Sequence, residues 1–217
     1  MLRLQSVLLF CAALTLLNFG SDAKAIAQTT YPFNATYNLE ITTIPLAETD
    51  EGIVLETDAT GESADAPYGL TNLTIGNYAA VDPGTGVVTY APSPAAFGLE
   101  GLPPLDTTVT LFGNGSDKLF GTNSGSVSPE GTGSGTITIT GGEGKFIGAT
   151  GTLDFSQINI SSPDPTGQTA PVISAGTITG SFQAVPEPGT NTTLIGVGMI
   201  GFGFLLHSRR SSRKGAV

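Results

Sequence analysis

From Tyr31 onward apolar side chains recur at every second position, as Tyr31, Phe33, Ala35, Tyr37, Leu39 and Ile41, with mostly polar residues between them. A period of two places one set of side chains on one face of an extended chain, so this segment is predicted as a half-buried strand. Shorter runs continue the pattern: Ile53 to Ala59, Leu70 to Ala80, Val87 to Tyr90, Thr107 to Phe112, Lys118 to Val127, Gly135 to Thr140, Ala149 to Ile160 and Ile173 to Gln183. Asp82-Pro83-Gly84-Thr85-Gly86 and Gly142-Glu143-Gly144 read as turns, because Pro fixes φ and Gly accepts positive φ. Within Ala149 to Ile160 the apolar phase changes between Phe155 and Ile158, which predicts a bulge or bend at that point. No helical period emerges between residues 28 and 184. The expected fold is all-β, a single antiparallel barrel or sandwich of about eight to nine strands. The Pro-rich segment from Pro92 to Pro104 is the longest expected loop, placed to cover an end of the barrel.

Two apolar segments flank this region. Met1-Leu2-Arg3 followed by Val7 to Leu17 has the basic start and apolar core of a secretory signal helix. Ala25-Ile26-Ala27 fits the small-x-small pattern of signal peptidase cleavage, which would leave Gln28 first; Ala23-Lys24-Ala25 is the second choice. At the other end, Leu194 to Leu206 precedes Arg209, Arg210, Arg213 and Lys214. Basic residues stay on the cytoplasmic side of a membrane segment, so Arg3 and the basic tail both point to a body lying across the membrane. The second segment gives only about 20 Å of helix, or about 27 Å when extended from Thr190 to His207, against a hydrocarbon core of roughly 30 Å. A temporary transmembrane helix suits it better than a permanent one. The expected division is a signal peptide over 1–27, an acidic β domain over 28–184 and a sorting signal over 185–217.

Immediately before the second segment stand Val185, Pro186, Glu187, Pro188 and Gly189. A Pro-Glu-Pro motif, a short apolar stretch and a basic tail in this order resemble the C-terminal sorting signal of bacterial PEP-CTERM proteins. The resemblance implies handling by an exosortase-type membrane protease. It also implies delivery to the cell envelope, the cell surface or the medium, with the C-terminus cytoplasmic before processing and extracellular polysaccharide as the surroundings. Segments around Asp65 to Leu70 and Lys118 to Thr122 resemble stretches of exported PEP-CTERM proteins of cyanobacteria. Gly196-Val197-Gly198-Met199-Ile200-Gly201 spells a dinucleotide-binding pattern, but it lies inside the apolar segment with no strand before it and is accidental.

Charge and composition narrow the chemistry. Of 18 acidic residues only Asp22 and Glu187 lie outside 28–184, and of 8 basic residues only Lys118 and Lys145 lie inside, which leaves 16 carboxylates against two lysines and a formal charge of −14. Such a body repels a nucleic-acid backbone, so that partner is excluded. The only His is His207 and the only Cys is Cys11, both outside the domain. Imidazole-dependent hydrolysis and a His/Cys zinc site are therefore unavailable to it, and so is a disulfide.

Gly135 to Thr140 followed by Gly141-Gly142-Glu143-Gly144-Lys145-Phe146-Ile147-Gly148-Ala149-Thr150-Gly151 reads as strand, glycine turn and strand. This stretch is similar to glycine-rich segments of allene oxide cyclase and dirigent-type barrels. Its glycines are structural, so the similarity implies a small barrel and transfers no catalytic residue. Glu48, Asp50, Glu51, Glu56, Asp58, Glu62 and Asp65 crowd into one stretch, where nothing singles out a buried, opposed pair of the kind glycoside hydrolysis needs. Glu48, Asp50 and Glu51 offer hard oxygen ligands of the type calcium takes, without the spacing of an EF-hand. The expectation is a non-catalytic exported module with no organic cofactor. The alternative is a barrel that holds a small apolar ligand or performs isomerase-like chemistry on one.

Overall fold

The computed structural model describes residues 28–50, 52–161 and 167–185. They form nine strands: β1 (Thr29–Thr49), β2 (Gly52–Glu62), β3 (Asn72–Val81), β4 (Val88–Ala91), β5 (Val109–Phe112), β6 (Lys118–Val127), β7 (Thr132–Glu143), β8 (Thr150–Ser161) and β9 (Val172–Ala184). Every pairing is antiparallel, and the sheet closes on itself through β2–β3. β4 and β5 lie end to end in one place, each bonded to β3 on one side and β6 on the other, so the ring has eight places. Closure leaves no long edge strand open to another chain. Among the described residues the only helical pieces are single 3-10 turns, and no helix is long and apolar enough to cross a membrane. The segment Leu194 to Leu206 lies outside the described residues.

The period of two in the sequence becomes the inside and outside of the ring. Phe33, Ala35, Tyr37 and Leu39 of β1 face inward, and Leu73, Leu111, Leu119, Ile137, Leu153, Ile178 and Phe182 meet them from the other strands. Burying a Leu, Ile or Phe side chain of this kind is worth roughly 1.5–3 kcal/mol each, so this half of the ring is the main store of stability. Within it the Tyr37 hydroxyl donates to the Leu70 carbonyl at 2.6 Å.

The two ends of the ring differ. β1 begins where β9 ends, with Thr29 opposite Ala184, so the chain enters and leaves at the same end. That end is plugged by Tyr31, Tyr68, Phe146 and Phe182, whose rings make edge-on and stacked contacts with centroids 5.3–6.5 Å apart. Tyr68 adopts a positive φ of 63°, and its hydroxyl donates to the Pro32 carbonyl at 2.7 Å. Lys145 ties the plug together. Its Nζ lies 2.8 Å from Asp117 Oδ2, donates to the Tyr68 carbonyl at 3.1 Å and sits 5.0 Å from the centre of the Phe146 ring.

Two sequence expectations shift in detail. The long loop between β4 and β5 does not cover an end of the ring. It packs Phe97, Leu99 and Leu105 on the outward-facing Val54, Tyr78 and Ala80, forming a second small core on the outside. Thr49 Oγ1 donating to the Phe97 carbonyl at 2.8 Å helps hold it there. In β8 the inward phase runs unbroken through Leu153, Phe155 and Gln157, and the bulge falls later, between Asn159 and Ser161. Ile158 points outward and is 62% exposed. The polar Gln157 holds the inward position because the ring is not filled with apolar side chains at that level.

Candidate functional site: a cavity at the open end of the ring

Past the plugged half, small or polar side chains take many of the inward positions. Past Leu39, Ala59, Ile75 and Phe155 the inner wall carries Thr43, Thr57, Asn77, Ala79, Asn123 and Gln157. In β7 the inward positions near this end are Gly133 and Gly135, preceded by Gly131 in the turn. With so little side-chain volume at these positions, the interior opens into a cavity of about 600 Å³ rimmed by the β3–β4 and β6–β7 turns and by Ser161 and Gln168. Small-molecule sites commonly occupy about 300–1,000 Å³ and are apolar with a few fixed polar groups. This one has Leu39, Ile41, Leu55, Ile75, Val88 and Val172 on its wall, interleaved with polar side chains such as Thr43, Asn123, Gln157 and Gln168.

The break between β4 and β5 is bridged by Thr108, whose N–H donates to the Gly121 carbonyl and whose carbonyl accepts from Gly76 N–H, at 2.9 and 2.8 Å. Its hydroxyl donates to Asn123 Oδ1 at 2.6 Å and accepts from Asn123 N–H at 2.7 Å, which locks the Asn123 side chain against the cavity. Gln157 Nε2 donates to Asn159 Oδ1 at 3.3 Å. Tyr90 is buried with its hydroxyl 3.4 Å from the Ser134 carbonyl, and burial pushes its pKa up to about 12, so it is neutral at physiological pH. Thr57 and Asn77 stand directly opposite each other on β2 and β3. Thr57 Oγ1 and Asn77 Oδ1 are both buried without a hydrogen-bond partner.

The one charged side chain on the lining is Glu130, in the β6–β7 turn, where the Ser128 hydroxyl holds its carboxyl below the ordinary range. Lys118 pairs with Glu143 at 2.9 Å, and Lys145 pairs with Asp117, both at the plugged end. Glu48, Asp50, Glu56, Asp58, Glu62 and Asp65 are all exposed, and Glu51 lies outside the described residues. Among the described residues no group of three or more His, Cys, Asp or Glu could hold a metal ion. Of the sorting residues, Val185 is half-buried just after β9. Pro186, Glu187, Pro188 and Gly189, with the cleavage residues Ala25 and Ala27, lie outside the described residues. None of the cavity's polar residues stood out in the sequence, because isolated Thr, Asn and Gln at inward positions look like ordinary strand residues until the strands close around a space.

Residues 184–210 match the family model for the PEP-CTERM protein-sorting motif. Comparison with curated proteins and with solved structures gives no match. The chain thus carries the sorting signal of an exported, exosortase-handled protein, and the signal begins where β9 leaves the ring at its plugged end.

Proposed function

We propose that the protein is a non-catalytic module of the cell envelope or its polysaccharide matrix, exported and sorted by an exosortase, that holds a small apolar molecule in its cavity. The observation that carries this reading is the polarity of the ring. Thr29 and Ala184 pair at the plugged end, so a tether at either terminus leaves the cavity mouth facing away from the membrane. Signal peptidase would release the N-terminus after Ala27, and the helix over Leu194 to Leu206 would hold the chain in the membrane until the Pro-Glu-Pro motif is processed. The mainly apolar lining, with no cation or imidazole among its residues, favours holding a ligand over transforming one. Fractionation of the native host tests the sorting, with a chain lacking 185–217 as control and mass spectrometry of the exported C-terminus. Exported material still ending at Val217 would refute processing. Solvent extraction of the same material tests the cargo: a stoichiometric apolar compound is expected, and an empty extract counts against it.

A further inference from the structure

We infer that Asn77 and Asn123 form a donor site deep in the cavity for an acceptor oxygen of a neutral, otherwise apolar molecule, which lies oxygen-first with its body toward the mouth. This rests on the reading that the cavity holds a ligand, and goes further by assigning the ligand's polarity and its direction.

The two asparagines flank the break between β4 and β5, Asn77 on β3 and Asn123 on β6. Both line the cavity, although Asn77 is only 4% exposed and Asn123 only 3%. Asn77 Oδ1 is sealed within the wall, and Asn123 Oδ1 is taken by the Thr108 hydroxyl. What each carboxamide turns to the cavity is therefore its nitrogen, which donates and does not accept. Neither nitrogen has a protein acceptor among the described residues. Elsewhere on the wall the Gln157 and Asn159 amides meet each other, and the Tyr90 hydroxyl is directed at the Ser134 carbonyl. A ligand that covers the two asparagines without an acceptor strips their N–H groups of water and returns nothing, which costs affinity. Any uncharged oxygen with a lone pair, whether carbonyl, ether or hydroxyl, meets the need. A carboxylate does not. It would shed its own water with no cation to face, since both lysines of the domain are engaged at the plugged end and the single lining charge is the anionic Glu130. The direction follows from depth. Toward the plugged end the space stops at Ala59, Ile75 and Phe155, beyond which Leu73, Val109 and Leu119 fill the ring. Toward the mouth, Val81 and Val127 stand about 13 Å of strand further on, so the apolar body has room on that side alone.

The test uses two isomers that differ only in where the oxygen sits, 2-nonanone and 5-nonanone, with nonane as the hydrocarbon control and nonanoate as the anion. Binding of the three volatile probes to the full chain, held in amphipol so that no small detergent competes, is read from the fall in vapour concentration above the solution relative to amphipol alone. 2-Nonanone is expected to bind about five-fold or more tighter than 5-nonanone. A mid-chain carbonyl placed at the asparagines would push one arm into the filled core or fold both arms back on themselves. Nonanoate is expected not to displace 2-nonanone at neutral pH. Asn77→Leu is expected to bring the two ketones to equal affinity while nonane binds as in the parent, which shows that the cavity is intact. Asn77→Val, a smaller strand former, gives the same reading should leucine crowd the site. Equal affinity of the two ketones for the parent, a preference that survives both substitutions, or displacement by nonanoate would overturn the assignment and leave ligand holding intact. Failure of nonane and both ketones to bind would remove the ligand-holding reading itself, and the assignment with it.

Discussion

Tyr90 of β4 lies across Gly135 of β7, two places round the ring, with its hydroxyl directed at the Ser134 carbonyl. A Cβ at Gly135 would collide with that hydroxyl and with the Ser124 carbonyl, and one at Gly125, between them on β6, would meet the same tyrosine. The glycines thus make the bed in which the aromatic wall of the cavity rests. Gly135→Ala is expected to lower stability by about 1–3 kcal/mol, the usual range for forcing extra volume into a packed site. Urea denaturation of the variant beside the parent checks it.

Burial of Tyr90 and Tyr37 has a consequence at high pH. Tyr90 is pushed to about 12, and Tyr37 is raised further by desolvation. A free tyrosine ionises near 10, so the unfolded chain releases these protons before the folded one does. Folding stability is therefore independent of both groups below pH about 10 and falls as pH rises above it. Spectrophotometric titration is expected to show two of the five tyrosines ionising late, and Tyr90→Phe should remove one of them.

Much of this architecture was legible from alternation alone. Each of the nine expected strands is present, and β6 runs over Lys118–Val127 as the sequence implied. Strand ends extend beyond the apolar runs because ladder pairing continues through polar residues, as in β1, which reaches Thr49. The cavity was not legible. Its existence depends on which inward positions are small; Gly135 read from sequence only as the start of a strand, and Gly131 and Gly133 fell outside the expected strands. In the ring they instead leave room for Asn159, Gln157 and Tyr90 to lie against β7. The change of phase near Ile158 misled for the same reason: a polar inward residue beside a space looks like a shift of register.

Thr57→Val and Asn77→Leu are each expected to stabilise the ligand-free protein. Both replace a buried, unpartnered polar group by an apolar one of similar shape, and leaving such a group unmade costs about 1–3 kcal/mol. A gain within that range in thermal or urea denaturation is the expected result. A loss of stability in both variants would mean that the two atoms already have partners in solution.

At the plugged end, Asp117 accepts from Lys145 twice, from Nζ and from the backbone N–H at 3.0 Å. Those bonds, the side-chain one foremost, hold its carboxyl below the ordinary carboxylate range. A folded pKa below the unfolded one means that the pair contributes fully above the unfolded value of about 3.9 and loses its contribution as pH falls through the folded value. Asp117→Asn is expected to be less stable than the parent at neutral pH, with the gap closing under acid. Urea midpoints of the two proteins, measured from neutral pH down to about 2, give the result directly. Because Lys145 also binds the Tyr68 carbonyl and covers the Phe146 ring, the same substitution should loosen the aromatic plug. Faster hydrogen exchange is expected at Tyr68 and Ile147 than at the β1–β9 ladder. A gap that stays constant from neutral to acid pH would show that the carboxylate's charge contributes nothing to holding this end of the ring closed.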